Sequence, residues 1–216
     1  MSEKIKYYDS KEEKLNVITH AIGLILSIAA LVLLVVYSSI YGNVWHITSF
    51  AIFGGSLIVL YAASTLYHYV QNPKLRLKLN VFDHAAIYVL IAGTYTPFAL
   101  VVLHGTIGWV IFGISWGLAF FGIIFKLFYI GKYDKISTIA YVLMGWVIII
   151  AIKPLIENFP LKGLLWLLAG GLSYTFGALL YSMKGMKYNH AIFHIFVLFG
   201  SFCHFMAVFF YVLPSS

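Results

Sequence analysis

"HAIFHIFVLFGSFCHFMAVFFYVL", His190–Leu213, runs 24 residues without an Asp, Glu, Lys or Arg. An α-helix needs about 20 predominantly apolar residues to cross the ~30 Å hydrocarbon core of a bilayer. The stretch is therefore a membrane span. It also opens on two histidines one helical turn apart, and the question is what they do where a span begins.

The rest of the chain repeats the pattern. Of 216 residues, 62% are hydrophobic and 10% charged, with 18 Phe and 16 Tyr, more apolar surface than a water-soluble domain of this length can bury. Seven apolar runs follow one another: Val17–Tyr37, Trp45–Tyr69, Asp83–Leu103, Ile107–Phe128, Ser137–Ile152, Leu161–Ser182 and Ala191–Leu213. Short connections leave no room for a further domain. The expected fold is all-α: one seven-helix transmembrane bundle over residues 1–216, a tail over 1–16, and helices over about 17–213. Continuous apolar runs exclude a barrel, whose strands alternate in polarity. The fifth run, 16 residues long, is the short one. The first run exceeds a signal-peptide core of 7–15 residues and follows a segment of mixed charge, so it reads as a retained span. A single cysteine, Cys203, cannot form an internal disulfide.

Cytoplasmic loops are enriched in Lys and Arg. With seven spans, Lys4, Lys6, Lys11 and Lys14 share a side with Lys74, Arg76, Lys78, Lys126, Lys132, Lys135, Lys184 and Lys187; only Lys153 and Lys162 fall on the other. The amino terminus is thus expected in the cytoplasm and the carboxy terminus outside. The net charge of +7 is explained by topology and anionic headgroups, with membrane lipids as partners and no nucleic acid. Oligomeric state is not legible.

Topology gives side chains a depth. The second run ends at "STLYH", Ser64–His68, the third begins at Asp83, and the seventh carries His190 and His194; all fall at the inner ends of their helices. Spacings of four put His190 with His194, and Ser64 with His68, on common faces. Six of the seven acids lie in the tail or in loops, so Asp83 stands out: an ionisable group in a membrane helix marks a functional site by default. Three imidazoles and a carboxylate suit a transition metal, zinc first. Three protein ligands leave a fourth position for water, the pattern of catalytic zinc. Asp83 then takes or orients that water's proton, or is itself a fourth ligand, and Ser64 hydrogen-bonds the water or an oxyanion. Against this stand plainer roles: hydrogen-bonded or interfacial histidines, and a packing serine.

The remaining histidines rank lower. His20 and His84 share the inner side, where His20 can support a ligand or face a substrate; His46 and His104 lie outside. His204 lies ten residues beyond His194, ~15 Å along the axis, and reads as a buried hydrogen-bonding residue. Gly54, Gly55, Gly113 and Gly117 read as close helix approaches. Pro97 is expected to kink the third helix, with Thr94 and Thr96 serving freed backbone groups, and Trp45, Tyr69 and Trp109 to anchor at the interface.

"EKLNVITHAIGLILSIA", "STLYH", "DHAAIYVLIAGTYTPF" and "HAIFHIFVLFGSFCHF" together resemble the haemolysin III branch of the progestin and adiponectin receptor superfamily, which is grouped with the alkaline ceramidases. The resemblance covers nearly the whole chain. It implies seven helices with a cytoplasmic amino terminus in a bacterial cell membrane, zinc held by His68, His190 and His194, Asp83 beside the zinc or its water, and Ser64 as the motif serine. The expected function is a zinc-dependent intramembrane hydrolase of a lipid amide or ester, or a lipid sensor, in membrane homeostasis. The alternatives are a cytolytic membrane protein and a non-catalytic receptor-like module with structural zinc.

Overall fold

A computed structural model describes residues 7–129, 132–183 and 185–213; Lys4, Lys6 and Lys184, used above to orient the chain, lie outside them. Among the described residues, seven helices are long and apolar enough to cross a membrane: α1 (Ser10–Tyr41), α2 (Val44–Tyr69), α3 (Pro73–Leu103), α4 (Gly105–Tyr129), α5 (Lys135–Asn158), α6 (Leu161–Ser182) and α7 (Asn189–Val212). No strand occurs among the described residues. With seven such helices the start of α1 and the end of α7 lie at opposite ends of the bundle, called here the amino-terminal and carboxy-terminal faces.

Helix starts follow from capping chemistry. The Asp9 carboxylate accepts from Lys11 N at the head of α1, and the Asn72 side chain accepts from Leu75 N while Pro73 occupies the first position of α3. Asn43 and His46 form a reciprocal capping box on α2, which gives His46 a structural role.

These caps move two boundaries from their expected places. α1 begins at Ser10, not near residue 17, so the tail is shorter and Glu12 and Glu13 are helical. α3 begins at Pro73, so Asp83 lies ten residues inside the helix rather than at its start, and Arg76 belongs to the first turn of α3, not to a loop. Charged residues interrupt the apolar pattern at both ends without interrupting the helix.

α5 overcomes the shortness of its apolar run by extending both ways, with α-helix over Asp134–Gly145, a 3-10 segment over Val147–Ala151 and α-helix again over Ile152–Asn158. α3 keeps α geometry as far as Pro97 and continues as π-helix over Phe98–Leu103. The hydroxyls of Thr94 and Thr96 donate to Leu90 O and Ala92 O, the back-bonding that accompanies such distortions.

α1 shows why the bundle assembles. Its buried residues are Glu12, Asn16, His20, Gly23, Ser27, Leu34 and Ser38, spaced three, four or seven apart, while Ile18, Ile22, Ile25 and Leu26 are exposed. In lipid the apolar face is the solvated one, and small or polar side chains turn inward to pack and hydrogen-bond. The tightest pairings are α1 with α2, α2 with α3, and α6 with α7. Phe50, Phe53, Leu57, Leu90, Phe98, Ile111 and Leu155 form the core between helices. A side chain at Gly54 would collide with Leu31 on α1, so that glycine is a close approach; Gly55, Gly113 and Gly117 meet nothing within 4 Å, which corrects their expected packing role. Trp45, Tyr69 and Trp109 are exposed near helix ends.

Candidate metal centre

α2 delivers His68 in its last turn, and α7 delivers His190 and His194 from its first two turns, at the amino-terminal face. The three side chains are buried and each offers a ring nitrogen within 4.8 Å of the others. His190 Nε2 lies 3.0 Å from His68 Nε2 and 3.1 Å from His194 Nε2. Tetrahedral zinc with Zn–N distances of about 2.0–2.1 Å needs nitrogens roughly 3.3–3.4 Å apart, so the three fit a metal after an adjustment of a few tenths of an ångström.

For His68 and His194 the opposite ring nitrogens fix which lone pairs face inward. The Glu13 carboxylate accepts from His68 Nδ1–H at 2.7 Å. Thr19 Oγ1, whose own proton goes to Leu15 O, lies 3.3 Å from His194 Nδ1 and accepts from it. Protonation at Nδ1 leaves Nε2 of both rings free to bind a metal, the tautomer that carboxylate and hydroxyl partners hold in metal sites. Three imidazole nitrogens converging on one point suit a cation as their common partner.

A second tier of polar residues holds this arrangement. The Arg76 guanidinium, fully buried, donates to Glu13 Oε1 and to the carbonyls of His68 (3.4 Å) and Val70 (3.3 Å), so it closes the carboxy-terminal end of α2 as well. Tyr7 and Tyr67 flank its cationic plane at 4.5 and 4.7 Å. Tyr8 stacks on His190 at 4.6 Å between ring centroids and donates its backbone N–H to Glu13 Oε1 at 3.1 Å. Burial first, then the neighbouring Tyr181, pushes the Tyr8 phenol far above its usual range, so it stays a hydrogen-bond donor. α7 starts without a capping side chain of its own, and Glu12 Oε1 accepts from His190 N at 3.3 Å instead.

Below the triad lies a cavity of about 400 Å³. Asp83, Ser64, His20, His190 and His194 line its head; Leu90, Ile91, Leu167 and Val197 are among its apolar walls. Its rim includes Ile149, Ile152 and Ile156 of α5 and Leu161, Leu165 and Leu168 of α6, all exposed on the lipid side. A volume in this range holds a small organic ligand, and the lining suits a hydrocarbon chain.

The candidate residues divide accordingly. His68, His190 and His194 come together. Asp83 falls outside the three-nitrogen cluster and faces the shared cavity, 3.9 Å from His84 Nδ1. Ser64 also lines the cavity, and its Oγ is buried without a hydrogen-bond partner. His20 stacks on His194 with centroids 3.5 Å apart.

Comparison with known proteins fits this geometry. The family model for haemolysin-III related proteins matches residues 8–205. The chain belongs to the haemolysin III family. It is 48% identical over 206 residues to the Bacillus cereus protein named Hemolysin-3, covering 95% of this chain and 94% of the relative. It is also 48% identical over 201 residues to a Hemolysin-3 homolog of Bacillus subtilis (strain 168), covering 93% and 94%. The human monocyte to macrophage differentiation factor is 27% identical over 210 residues, covering 94% of this chain and 86% of the relative. No solved structure matches. Membership and seven apolar helices make this haemolysin III protein a multi-pass membrane protein, with close relatives in bacteria.

Glu13, Thr19, Arg76 and Tyr8 escaped the reading of the sequence. A signal for Glu13 was present in "EEKLNVITH": Glu12 or Glu13, Asn16 and His20 continue, at helical spacing, the inward stripe of Gly23 and Ser27.

Proposed function

We propose that this haemolysin III protein is a zinc-dependent intramembrane hydrolase acting on the amide or ester of a membrane lipid, with its amino-terminal face in the cytoplasm. One observation carries the reading: three histidine nitrogens converge, buried, at the head of an apolar cavity whose rim reaches lipid-facing residues. The distribution of Lys and Arg supports the orientation. Zinc bound by His68, His190 and His194 supplies a Lewis acid for a carbonyl oxygen and acidity to a water.

The protein's own residues then have definite tasks. Asp83, in the cavity and not in the nitrogen cluster, serves as the general base that accepts a proton from water and later passes it to the leaving amine or alcohol. Ser64 Oγ–H, without a partner among the described residues, donates to the oxygen of the attacked carbonyl. The apolar walls hold the acyl chain and keep bulk water from the reacting bond. Glu13 and Thr19 keep the ligating tautomers.

The test is incubation of purified protein in nanodiscs with defined lipid amides and esters, with metal measured in parallel. Chelator-sensitive product formation that His194→Ala abolishes supports the reading; turnover unaffected by that change would refute it.

A receptor-like module with structural zinc is the second reading, supported by ligands that tie α2 to α7 and by buttresses on α1 and α3. It predicts loss of thermal stability on metal removal with no turnover of any lipid. The word hemolysin belongs to the names of the relatives; lipid-facing surfaces as apolar as those of α1 and α4 offer no water-soluble state for a secreted pore former.

A further inference from the structure

The same cavity has a second polar end. His204 on α7 and Tyr174 on α6 line it, and their rings lie 5.3 Å apart. Ten residues of continuous helix separate His204 from His194, ~15 Å along the axis, which is half the ~30 Å hydrocarbon thickness.

Two features set this end apart from ordinary core. His204 is 5% exposed and its Nδ1 is buried without a hydrogen-bond partner. Neutral imidazole has one donor and one acceptor, and leaving either unmet in an apolar surrounding is costly. The fold makes room for this ring: a side chain at Gly170 would lie 2.6 Å from His204 Nε2. Next to it, the Tyr61 hydroxyl donates to Ser201 Oγ at 2.8 Å, and Ser201 Oγ meets the Tyr174 hydroxyl at 2.9 Å. Among the described residues Ser201 Oγ has no other hydrogen-bond partner. Tyr61 also lies 3.4 Å from Val197 O, but its shorter contact is to Ser201; with Tyr61 donating there, Ser201 gives its own proton to Tyr174, and the Tyr174 proton is then directed to an occupant of the cavity that Tyr174 lines.

We propose that His204 and Tyr174, with Ser201 orienting the latter, form a subsite for an oxygen function, a hydroxyl or keto group, borne on the acyl chain of a lipid whose head lies at the histidine triad. The proposal rests on the lipid reading above and narrows its substrate class to oxygenated chains. An imidazole and a phenol offer a donor and an acceptor to a hydroxyl, whereas a plain hydrocarbon chain leaves both unmet.

The experiment is displacement of a fluorescent fatty acid from the full-length protein in nanodiscs by octadecanoate, 2-hydroxyoctadecanoate and 12-hydroxyoctadecanoate. The 12-hydroxy chain is expected to bind about three- to tenfold more tightly than both others, the effect of one or two buried hydrogen bonds. His204→Leu should cut that preference to below about twofold while bound metal is unchanged, and His204→Gln should restore part of it. Equal binding of the three probes, or a preference that survives His204→Leu, overturns the proposal and leaves the lipid reading standing. Failure of every probe to displace overturns both. If His204→Leu does not assemble, the three probes on the wild-type protein still decide the question.

Discussion

His194 and His204 sit on one helix, both buried, with opposite surroundings. The Nδ1 of His194 meets Thr19, its Nε2 meets His190, and its face meets His20. His204 touches Tyr174 and has no partner for Nδ1. A histidine in a membrane helix is thus not diagnostic by itself. What separates His194 from His204 is that Thr19 holds the Nδ1 of His194, which selects the Nε2 lone pair that points at the triad.

The contrast can be broken most severely at the triad. His68→Ala or His194→Ala should lower bound metal from stoichiometric to near background by mass spectrometry of purified protein, whereas His204→Ala should leave it intact; parity between the two classes would erase the distinction drawn here. Asp83→Asn should keep the metal and slow lipid hydrolysis by roughly 10²–10⁴, measured as initial rates on the substrate found active. Glu13→Gln keeps a hydrogen bond to Arg76 but weakens the acceptor for His68, and should reduce metal affinity about 10- to 100-fold in competition with a chelator. Gly170→Ala forces a methyl into the His204 ring and should destabilise the protein by about 1–3 kcal/mol in thermal unfolding, without metal loss. Smallest of all, Gly117→Ala, with nothing within 4 Å, should change stability by less than about 0.5 kcal/mol.

The sequence made the spans legible because hydrocarbon demands long apolar runs, and it made the triad legible because spacing of four on α7 and the position at the end of α2 are properties of a single helix. Asp83 was singled out by rarity, yet its position within the helix was misjudged, since Pro73 and Asn72 start α3 before its apolar run begins. The same error at α1 hid Glu13: hydropathy marks where lipid starts, whereas the helix itself starts where Asp9 caps it. Arg76 was counted as a topological charge, and only tertiary contact with Glu13 and the end of α2 shows that it is buried. The glycines of α4 look like a packing seam in sequence, but which face of a helix meets a neighbour is decided by the other helices.

The three histidines of the candidate metal centre come from the second and the seventh crossings, with His68 and His190 122 residues apart in the chain. During synthesis the site cannot exist until the final segment has entered the bilayer and turned to meet α2. Any loading of an ion at the triad is thereby a late event in biogenesis, open only to a chain that extends through His194.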